Sequence, residues 1–71
     1  MEYIRVTFDP NDIREVIASG NPIGQTEAEL MVETNYYVVS LSGDGYTPSH
    51  QYVFVTGTLP DNPLIIPFSK T

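Results

Sequence analysis

Residues 37–46, with the sequence YVVSLSGDGY, decide the fold of this chain. Alternate residues from Tyr37 to Leu41 are apolar and fall on one face at the two-residue period of a strand. Gly43 and Gly45 follow directly, and glycine tolerates the positive φ angles that a tight turn requires. The segment therefore predicts a half-buried strand that ends in a turn.

Runs of alternating apolar residues on both sides of this segment predict further strands at 3–8, 28–33, 52–56 and 64–68. The run at 52–56 is apolar on both faces, which is typical of a strand in the middle of a sheet. The last run contains Pro67, which cannot donate a ladder hydrogen bond, so we expect it to form an edge strand. Short strands separated by frequent turns are typical of a β-sandwich.

The segment 10–19 fits two structures. A helix would have Pro10 at its first position and Gly20 just beyond its end. A strand would instead place Val16 and Ala18 on one face. Two folds follow: an all-β, antiparallel β-sandwich of about six to seven short strands, or a small α+β fold with a helix at 10–19.

A second ambiguous segment covers residues 26–33. Thr26 and Glu29 match a capping box, which is a signal for the start of a helix. A strand would place Glu27, Glu29 and Glu33 on its outward face, where their charges keep the sheet soluble. The strand is the simpler interpretation, and we expect these three glutamates to be solvated.

Length and charge exclude several classes of function. The 71 residues suffice for one domain, spanning 1–71, and the lack of cysteine excludes disulfides and thiolate metal sites. Nine acidic residues against three basic ones give a net charge of −6, which disfavours nucleic acid and anionic membrane surfaces as partners. No apolar run approaches the ~20 residues of a membrane span, and residues 1–5 do not resemble a signal peptide. We expect no membrane insertion.

Three segments carry a resemblance to known motifs: residues 3–10 (YIRVTFDP), 20–26 (GNPIGQT) and 37–46. In order and spacing they are similar to the opening strand, the Gly-x-Pro-x-Gly-x-Thr turn and the Tyr-x-Val-x-Val…Gly-Tyr segment of the PEGA domain family. The chain departs from that family at Asp12 and Ile13, which stand where the Pro-Glu-Gly-Ala motif has its glycine and alanine.

The resemblance implies a small all-β module in which residues 13–19 form a strand, and we prefer that strand to the helix. PEGA domains usually occur in bacterial and archaeal surface or multidomain proteins. The resemblance therefore implies extracytoplasmic or cell-surface use if the chain is a domain of a longer protein, while the sequence itself leaves a cytoplasmic location open. The glycines predicted to shape structural turns are Gly20, Gly24, Gly43 and Gly45.

The sequence predicts no catalytic constellation. His50 is the only histidine, and although Ser49 precedes it, neighbours in a strand point to opposite faces. One histidine cannot build a zinc site, and the aspartates lack the spacing of a calcium-binding loop. Asp44, between two glycines, is interpreted as a turn residue. We therefore expect no enzyme activity, no cofactor and no metal.

Tyrosines and an edge strand are the candidate contact features. Tyrosine stacks on sugars and anchors protein contacts, and an open edge strand accepts another strand. We expect a non-catalytic structural or protein-interaction module that binds a protein partner or a second copy. The alternative is a carbohydrate or cell-wall binding module, which burial of the tyrosines would exclude. The candidate contact residues are Tyr36, Tyr46, Tyr52, Leu64, Ile66 and Phe68. For Tyr46 the resemblance implies an alternative, in which its side chain pins the turn to the sandwich.

Overall fold

The computed structural model describes residues 1–9 and 13–71, which form two four-stranded β-sheets that together make a small sandwich. The predicted all-β sandwich is confirmed. These residues contain eight strands, more than predicted, because two segments interpreted as turns also pair. The strands are β1 (Glu2–Asp9), β2 (Glu15–Ala18), β3 (Asn21–Gln25), β4 (Glu29–Val32), β5 (Asn35–Leu41), β6 (Tyr46–Thr47), β7 (Gln51–Val55) and β8 (Leu64–Lys70).

The two sheets differ in how their strands are paired. The first sheet has the order β4-β1-β8-β6, and the second has the order β3-β2-β5-β7. In the first sheet β1 and β8 are parallel, in a register that runs from Ile4 opposite Leu64 to Asp9 opposite Ser69. The other strand pairs within the described residues are antiparallel. The prediction of an antiparallel sandwich is therefore wrong for β1 and β8.

Alternation along the strands directs one face of each sheet into a shared core. In the first sheet β1 buries Ile4, Val6 and Phe8, and in the second sheet β5 buries Val39 and Leu41. Burying one large apolar side chain contributes about 1.5–3 kcal/mol, so these two faces hold the sandwich together. The other members of the core cluster are Val16, Leu30, Val32, Val55, Ile66 and Phe68.

The segment interpreted as helix or strand is a strand where the structure describes it. β2 pairs with β3 on one side and with β5 on the other, and its Val16 and Ala18 are buried. A helix here would leave β3 and β5 without their common partner, which explains why tertiary pairing overrides the local capping signals. The helix alternative is wrong for residues 13–19, and its proposed first residue, Pro10, lies outside the described residues.

Glu27 does not lie on the solvated face of β4. It has a φ of 62° in the turn before that strand. Its backbone N–H donates to the carbonyl of Val6 (2.8 Å), and its Oε2 accepts the N–H of Phe8 (3.1 Å). Glu27 therefore bonds to the backbone of β1 beyond the residues that pair with β4, and the prediction that it is solvated on a strand face is wrong. Glu29 and Glu33 are exposed as expected.

Backbone geometry requires glycine at two positions around the β2–β3 hairpin. Ser19 and Gly20 form its two-residue loop, and both have positive φ angles of 50° and 85°, the pattern of a type I′ turn. Gly24 lies inside β3 and not in the predicted turn; its φ is 153°, and a Cβ on it would displace Cδ2 of Leu30. These contacts fix how the hairpin lies against the first sheet.

Arg14 holds the turn that follows β5. Its Nη1 donates to the carbonyls of Ser42 (3.0 Å) and Asp44 (2.9 Å). Its guanidinium lies over the ring of Phe8, with Cζ 5.0 Å from the ring centroid. Gly43 permits this approach, because even a Cβ at that position would come within 3.1 Å of Nη1. Asp44 thus serves the fold through its backbone carbonyl.

Tyr46 links the turn to both sheets. Its hydroxyl donates to the carbonyl of Leu41 (2.9 Å) and accepts the N–H of the same residue (3.1 Å). Its ring makes edge contacts with Phe8 and Phe68 at centroid distances of 6.4 and 5.6 Å. Tyr46 therefore closes one end of the core and is committed to the fold.

β8 stands between β1 and β6 in the order of the first sheet, but β6 pairs only with Ser69 and Lys70. Residues 64–68 have no strand partner among the described residues on the side away from β1, so they form an edge as predicted. Pro67 is tolerated because its carbonyl accepts a hydrogen bond from the Gln51 side chain. The N and C=O of one strand residue point to the same side, so the missing N–H falls outside the ladder. The side chains of Ile66 and Phe68 are each 1% exposed and belong to the core, so a contact at these residues would have to use the backbone of the strand. Leu64 is half-buried.

A carboxylate fastens the beginning of β1. Glu2 Oε1 accepts the N–H (2.9 Å) and the hydroxyl (2.6 Å) of Thr58, and Oε2 accepts the hydroxyl of Thr34 (2.7 Å). The Thr58 hydroxyl also accepts the N–H of Tyr3. The hydrogen bonds from Thr58 and then from Thr34 favour the ionised form and lower the pKa of Glu2 from 4.5 to about 2.

We expect Tyr46→Phe to destabilise the fold by about 1–3 kcal/mol, because it strips the backbone N–H and C=O of Leu41 of their side-chain partner while keeping the ring. Urea unfolding measures the change. Tyr36→Phe is the matched control, because it removes an exposed hydroxyl. Equal stabilities of the two variants would contradict the role assigned to the Tyr46 hydroxyl.

Glu2 makes stability dependent on pH in the acid range. Because its folded pKa of about 2 lies below the ordinary value of 4.5, its contribution is complete above pH 4.5 and is lost as pH falls towards 2. We expect Glu2→Gln to be less stable than the parent at neutral pH, and the difference to shrink across this window in urea titrations. Glu33→Gln, at an exposed carboxylate, should retain the parent's acid dependence.

Candidate interaction surface

The outer face of the second sheet carries a group of exposed apolar side chains, here called the aromatic face. It consists of Tyr36 and Val38 from β5 and Tyr52 and Phe54 from β7. Tyr36 lies opposite Phe54 and Val38 opposite Tyr52 in the antiparallel register. Their exposed fractions are 73% for Tyr36, 36% for Val38, 77% for Tyr52 and 49% for Phe54.

The strand period explains why these residues face outward. On β5 the inward positions are Tyr37, Val39 and Leu41, so Tyr36 and Val38 must face the other way. The outer face of a two-layer sandwich normally carries polar residues. This face departs from that pattern on the two adjacent strands β5 and β7.

The position of β7 corrects one expectation. Its sequence, apolar on both faces, indicated a strand in the middle of a sheet, yet β7 is the outermost strand of the second sheet. Val55 is buried in the core, while Tyr52 and Phe54 lie on the other side. Nothing in residues 1–9 or 13–71 covers that side, so its aromatic residues remain available for contact.

The rings of the aromatic face are ordered against one another. Tyr36 and Phe54 stack with centroids 4.4 Å apart and planes inclined by 27°. The His50 ring meets Tyr52 edge-on, with centroids 5.1 Å apart and an angle of 88°. Aromatic pairs of this kind contribute about 0.5–1.5 kcal/mol beyond the burial of their surface. The rings are therefore partly fixed before binding, which lowers the entropy cost of fixing them against a partner.

The outer face of the first sheet has a different character. There Arg5 lies opposite Glu29, so charged residues occupy its centre. Its exposed apolar residues, Met31 and Ile65, lie on β4 and β8, on either side of β1. The aromatic face itself contains no charged residue, although the chain has a net charge of −6. The two faces of the sandwich are thus chemically distinct.

The structure separates the three tyrosines proposed from the sequence. Tyr36 and Tyr52 are exposed and share the aromatic face. Tyr46 is half-buried, with its hydroxyl bonded to Leu41, which agrees with the alternative that it pins the turn to the sandwich. The sequence analysis does not predict Phe54 as a contact residue, because a run that is apolar on both faces indicates a buried strand. The alternation of Phe54 with Val55 is the pattern that would have indicated one exposed face.

Ser49 and His50 do approach each other, contrary to the prediction. Ser49 Oγ lies 3.0 Å from His50 Nδ1. Both residues are exposed, and no described carboxylate orients the imidazole. Across residues 1–9 and 13–71 the surface forms no pocket that would hold a substrate beside them. The pair lacks the third member and the enclosure that activate a serine nucleophile in a triad.

The part of the chain that the structure describes contains no group of three or more acidic, histidine or cysteine side chains able to hold a metal ion. The aspartate Asp12, considered as an oxygen ligand, lies outside that part. No helix in the described residues is long and apolar enough to cross a membrane. The aromatic face is therefore the strongest candidate for function.

Comparisons of the chain with models of protein families, with curated proteins and with solved structures produced no match. The resemblance to PEGA domains consequently remains a prediction from three sequence segments. Function has to be argued from the surface itself.

Proposed function

We propose that this protein is a non-catalytic interaction module that contacts a protein partner through its aromatic face. The observation that carries the proposal is the exposure of Tyr36, Tyr52 and Phe54 together on one side of one sheet. Exposed apolar residues scattered singly are ordinary, whereas a contiguous group marks a contact surface. Aromatic residues also supply a large share of the energy in protein interfaces.

The rigid base of the face favours binding. Val39 and Val55, on the same strands as the aromatic residues, are fully buried in the core. The backbone of a packed strand is already ordered, so binding has to immobilise only the exposed side chains and no loop. The face needs no loop to close over the partner.

Charge indicates the chemistry of the partner. The aromatic face is uncharged, but the chain around it has nine acidic residues against three basic ones. A partner with apolar residues at its centre and basic residues at its rim complements this arrangement. Arginine in particular can stack on tyrosine and pair with carboxylates.

A carbohydrate is the second candidate ligand. Tyr36 and Tyr52 are more than two-thirds exposed, so the condition that would have excluded sugar stacking is not met. The exposed ring of Tyr52, and the face of Tyr36 that is not stacked on Phe54, offer contact area for pyranose rings. The absence of charge suits a neutral polysaccharide as well as it suits an apolar protein surface.

We propose in addition that the chain is a divergent PEGA domain and serves at a cell surface or within a larger surface protein. The support is the sequence resemblance, carried chiefly by residues 20–26 and 37–46. A small sandwich with a single adhesive face is compatible with that use. Immunogold labelling of the source cells would contradict it by locating the protein only in the cytoplasm.

We expect the double variant Tyr36→Ser with Phe54→Ser to lose partner binding, because it removes the stacked pair. The immobilised protein is first exposed to a lysate of the source organism and to soluble cell-wall polysaccharides. Any ligand retained is then purified and titrated against the variants. Loss of one aromatic anchor typically costs about 2 kcal/mol, so the dissociation constant should rise at least roughly 30-fold.

The matched control changes the other outer face, as Met31→Ser with Ile65→Ser, and should bind like the parent. A protein ligand that both double variants bind equally would overturn the proposed contact surface. A polysaccharide ligand, lost only in the aromatic variant, would establish the carbohydrate alternative in place of the protein partner. Circular dichroism on both variants checks that the sandwich is intact.

A further inference from the structure

The four sheet edges of the described chain are not equally protected against pairing with another strand. The outermost strands are β4 and β6 in the first sheet and β3 and β7 in the second. Proline, charge and shortness all discourage edge-to-edge pairing. β3 contains Pro22, β4 exposes Glu29 at its start, and β6 has two residues followed by Pro48.

β7 has none of these protections. Its sequence, QYVFV, contains no charge, no proline and no glycine. Such a segment has high β-propensity and low charge, the composition of strands that pair readily with copies of themselves. The side of β8 away from β1 is also unpaired over residues 64–68, but Pro67 protects that stretch. Among the edges of the described sheets, β7 is therefore the one that is available for pairing.

The hydrogen bonds of β5 show which groups of β7 are open. The carbonyl of Val38 accepts the N–H of Ser19, at 2.8 Å, so Val38 points its backbone groups towards β2. The next residue in a strand points the opposite way, so Val39 and Tyr37 direct their groups towards β7. Their partners there are Gln51 and Val53.

Alternation then turns the N–H and C=O groups of Tyr52 and Phe54 to the side of β7 away from β5. No other strand described here lies on that side, since β7 ends the second sheet. Unpaired N–H and C=O groups in a regular row are a template for one more strand.

We propose that β7 pairs antiparallel with β7 of a second copy of this chain and forms a symmetric dimer. A two-fold axis at Val53 places Tyr52 opposite Phe54 of the second copy, and Phe54 opposite Tyr52 of the second copy. Each of these pairs exchanges both of its backbone hydrogen bonds, because both residues present their groups outward. The isologous contact needs no further surface feature.

The chemistry of β7 suits a second copy as its partner. An identical strand can face QYVFV without placing like charges opposite each other, which two copies of β4 would not avoid at Glu29. Pro22 and Gly24 in β3 oppose continued growth at the other end of the second sheet. Pairing therefore closes at two chains.

The dimer would also extend the aromatic face. Tyr36 and Phe54 of one chain would continue in a row with Tyr52 and Val38 of the second copy. Six aromatic rings would then lie on one continuous eight-stranded sheet. This self-pairing does not depend on the proposed partner binding, although it would give that partner a doubled surface.

The dimer should be weak and sensitive to salt. A contact through one short strand buries less than the about 1,200 Å² of a standard interface, so association will depend on protein concentration. Each copy carries a net charge of −6, and raising the ionic strength screens the repulsion between copies. Added salt should therefore strengthen the dimer.

Sedimentation equilibrium of the full chain, up to about 1 mM, tests the proposal. We expect a monomer–dimer equilibrium whose dissociation constant rises at least roughly tenfold more in Phe54→Pro than in Phe54→Ser. Only proline removes the outward N–H, and the symmetry of the dimer removes it from both Tyr52–Phe54 pairs. Tyr36→Ser should dimerise like the parent even where it loses a partner, which separates this proposal from the proposed function. A monomer at every concentration, or equal effects of the two Phe54 variants, would overturn it.

Amide hydrogen exchange on the unmodified protein gives an independent readout. In dilute solution the amides of Tyr52 and Phe54 should exchange quickly, while those of Val53 and Val55, paired with β5, exchange slowly. At dimer-forming concentration the Tyr52 and Phe54 amides should become protected. If the protein dimerises but these two amides stay unprotected, the dimer uses another surface. If they become protected only when a foreign partner is added, the added strand belongs to that partner. Either result refutes self-pairing through β7.

Discussion

The parallel pairing of β1 with β8 is the constraint on which the rest of the structure depends. It joins strands separated by almost the whole described chain and places them in the middle of the first sheet. These two strands supply one side of the core, with Ile4, Val6 and Phe8 from β1 and Ile66 and Phe68 from β8. Closing so long a loop costs conformational entropy before these contacts stabilise the chain, so we expect the slow folding that is typical of high contact order.

Local periodicity accounts for the parts of this fold that could be predicted. The strands β1, β4, β5, β7 and β8 follow from alternation, and burial of Val39 and Leu41 follows from the same signal. The parallel partner of β1 could not be predicted, because the periodicity of a local segment does not show which distant strands meet. The hydrogen bond of Glu2 with Thr58 depends on the return of the chain to the first sheet at β8, and the one with Thr34 depends on the pairing of β1 with β4.

The candidate surface was accessible to prediction only in part. The sequence identifies Tyr36, Tyr46 and Tyr52 alike as candidate contact residues. Only the structure shows that Leu41 and two phenylalanine rings surround Tyr46. The exposure of Phe54 could not be predicted, because an apolar residue that faces outward has the same sequence pattern as a buried one. Position in the sheet, which depends on strand order, decides between exposure and burial.

The direction of β1 and β8 has a mechanical consequence. Since these neighbours run parallel, the start of β1 and the end of β8 lie at opposite ends of the ladder, in a molecule 31 Å along its longest axis. Tension applied at Glu2 and Lys70 would slide the two strands past each other and strain all the hydrogen bonds of the ladder at once. An antiparallel pair pulled from the same end opens one bond at a time, like a zipper. The topology thus makes this small sandwich resistant to stretching along its length.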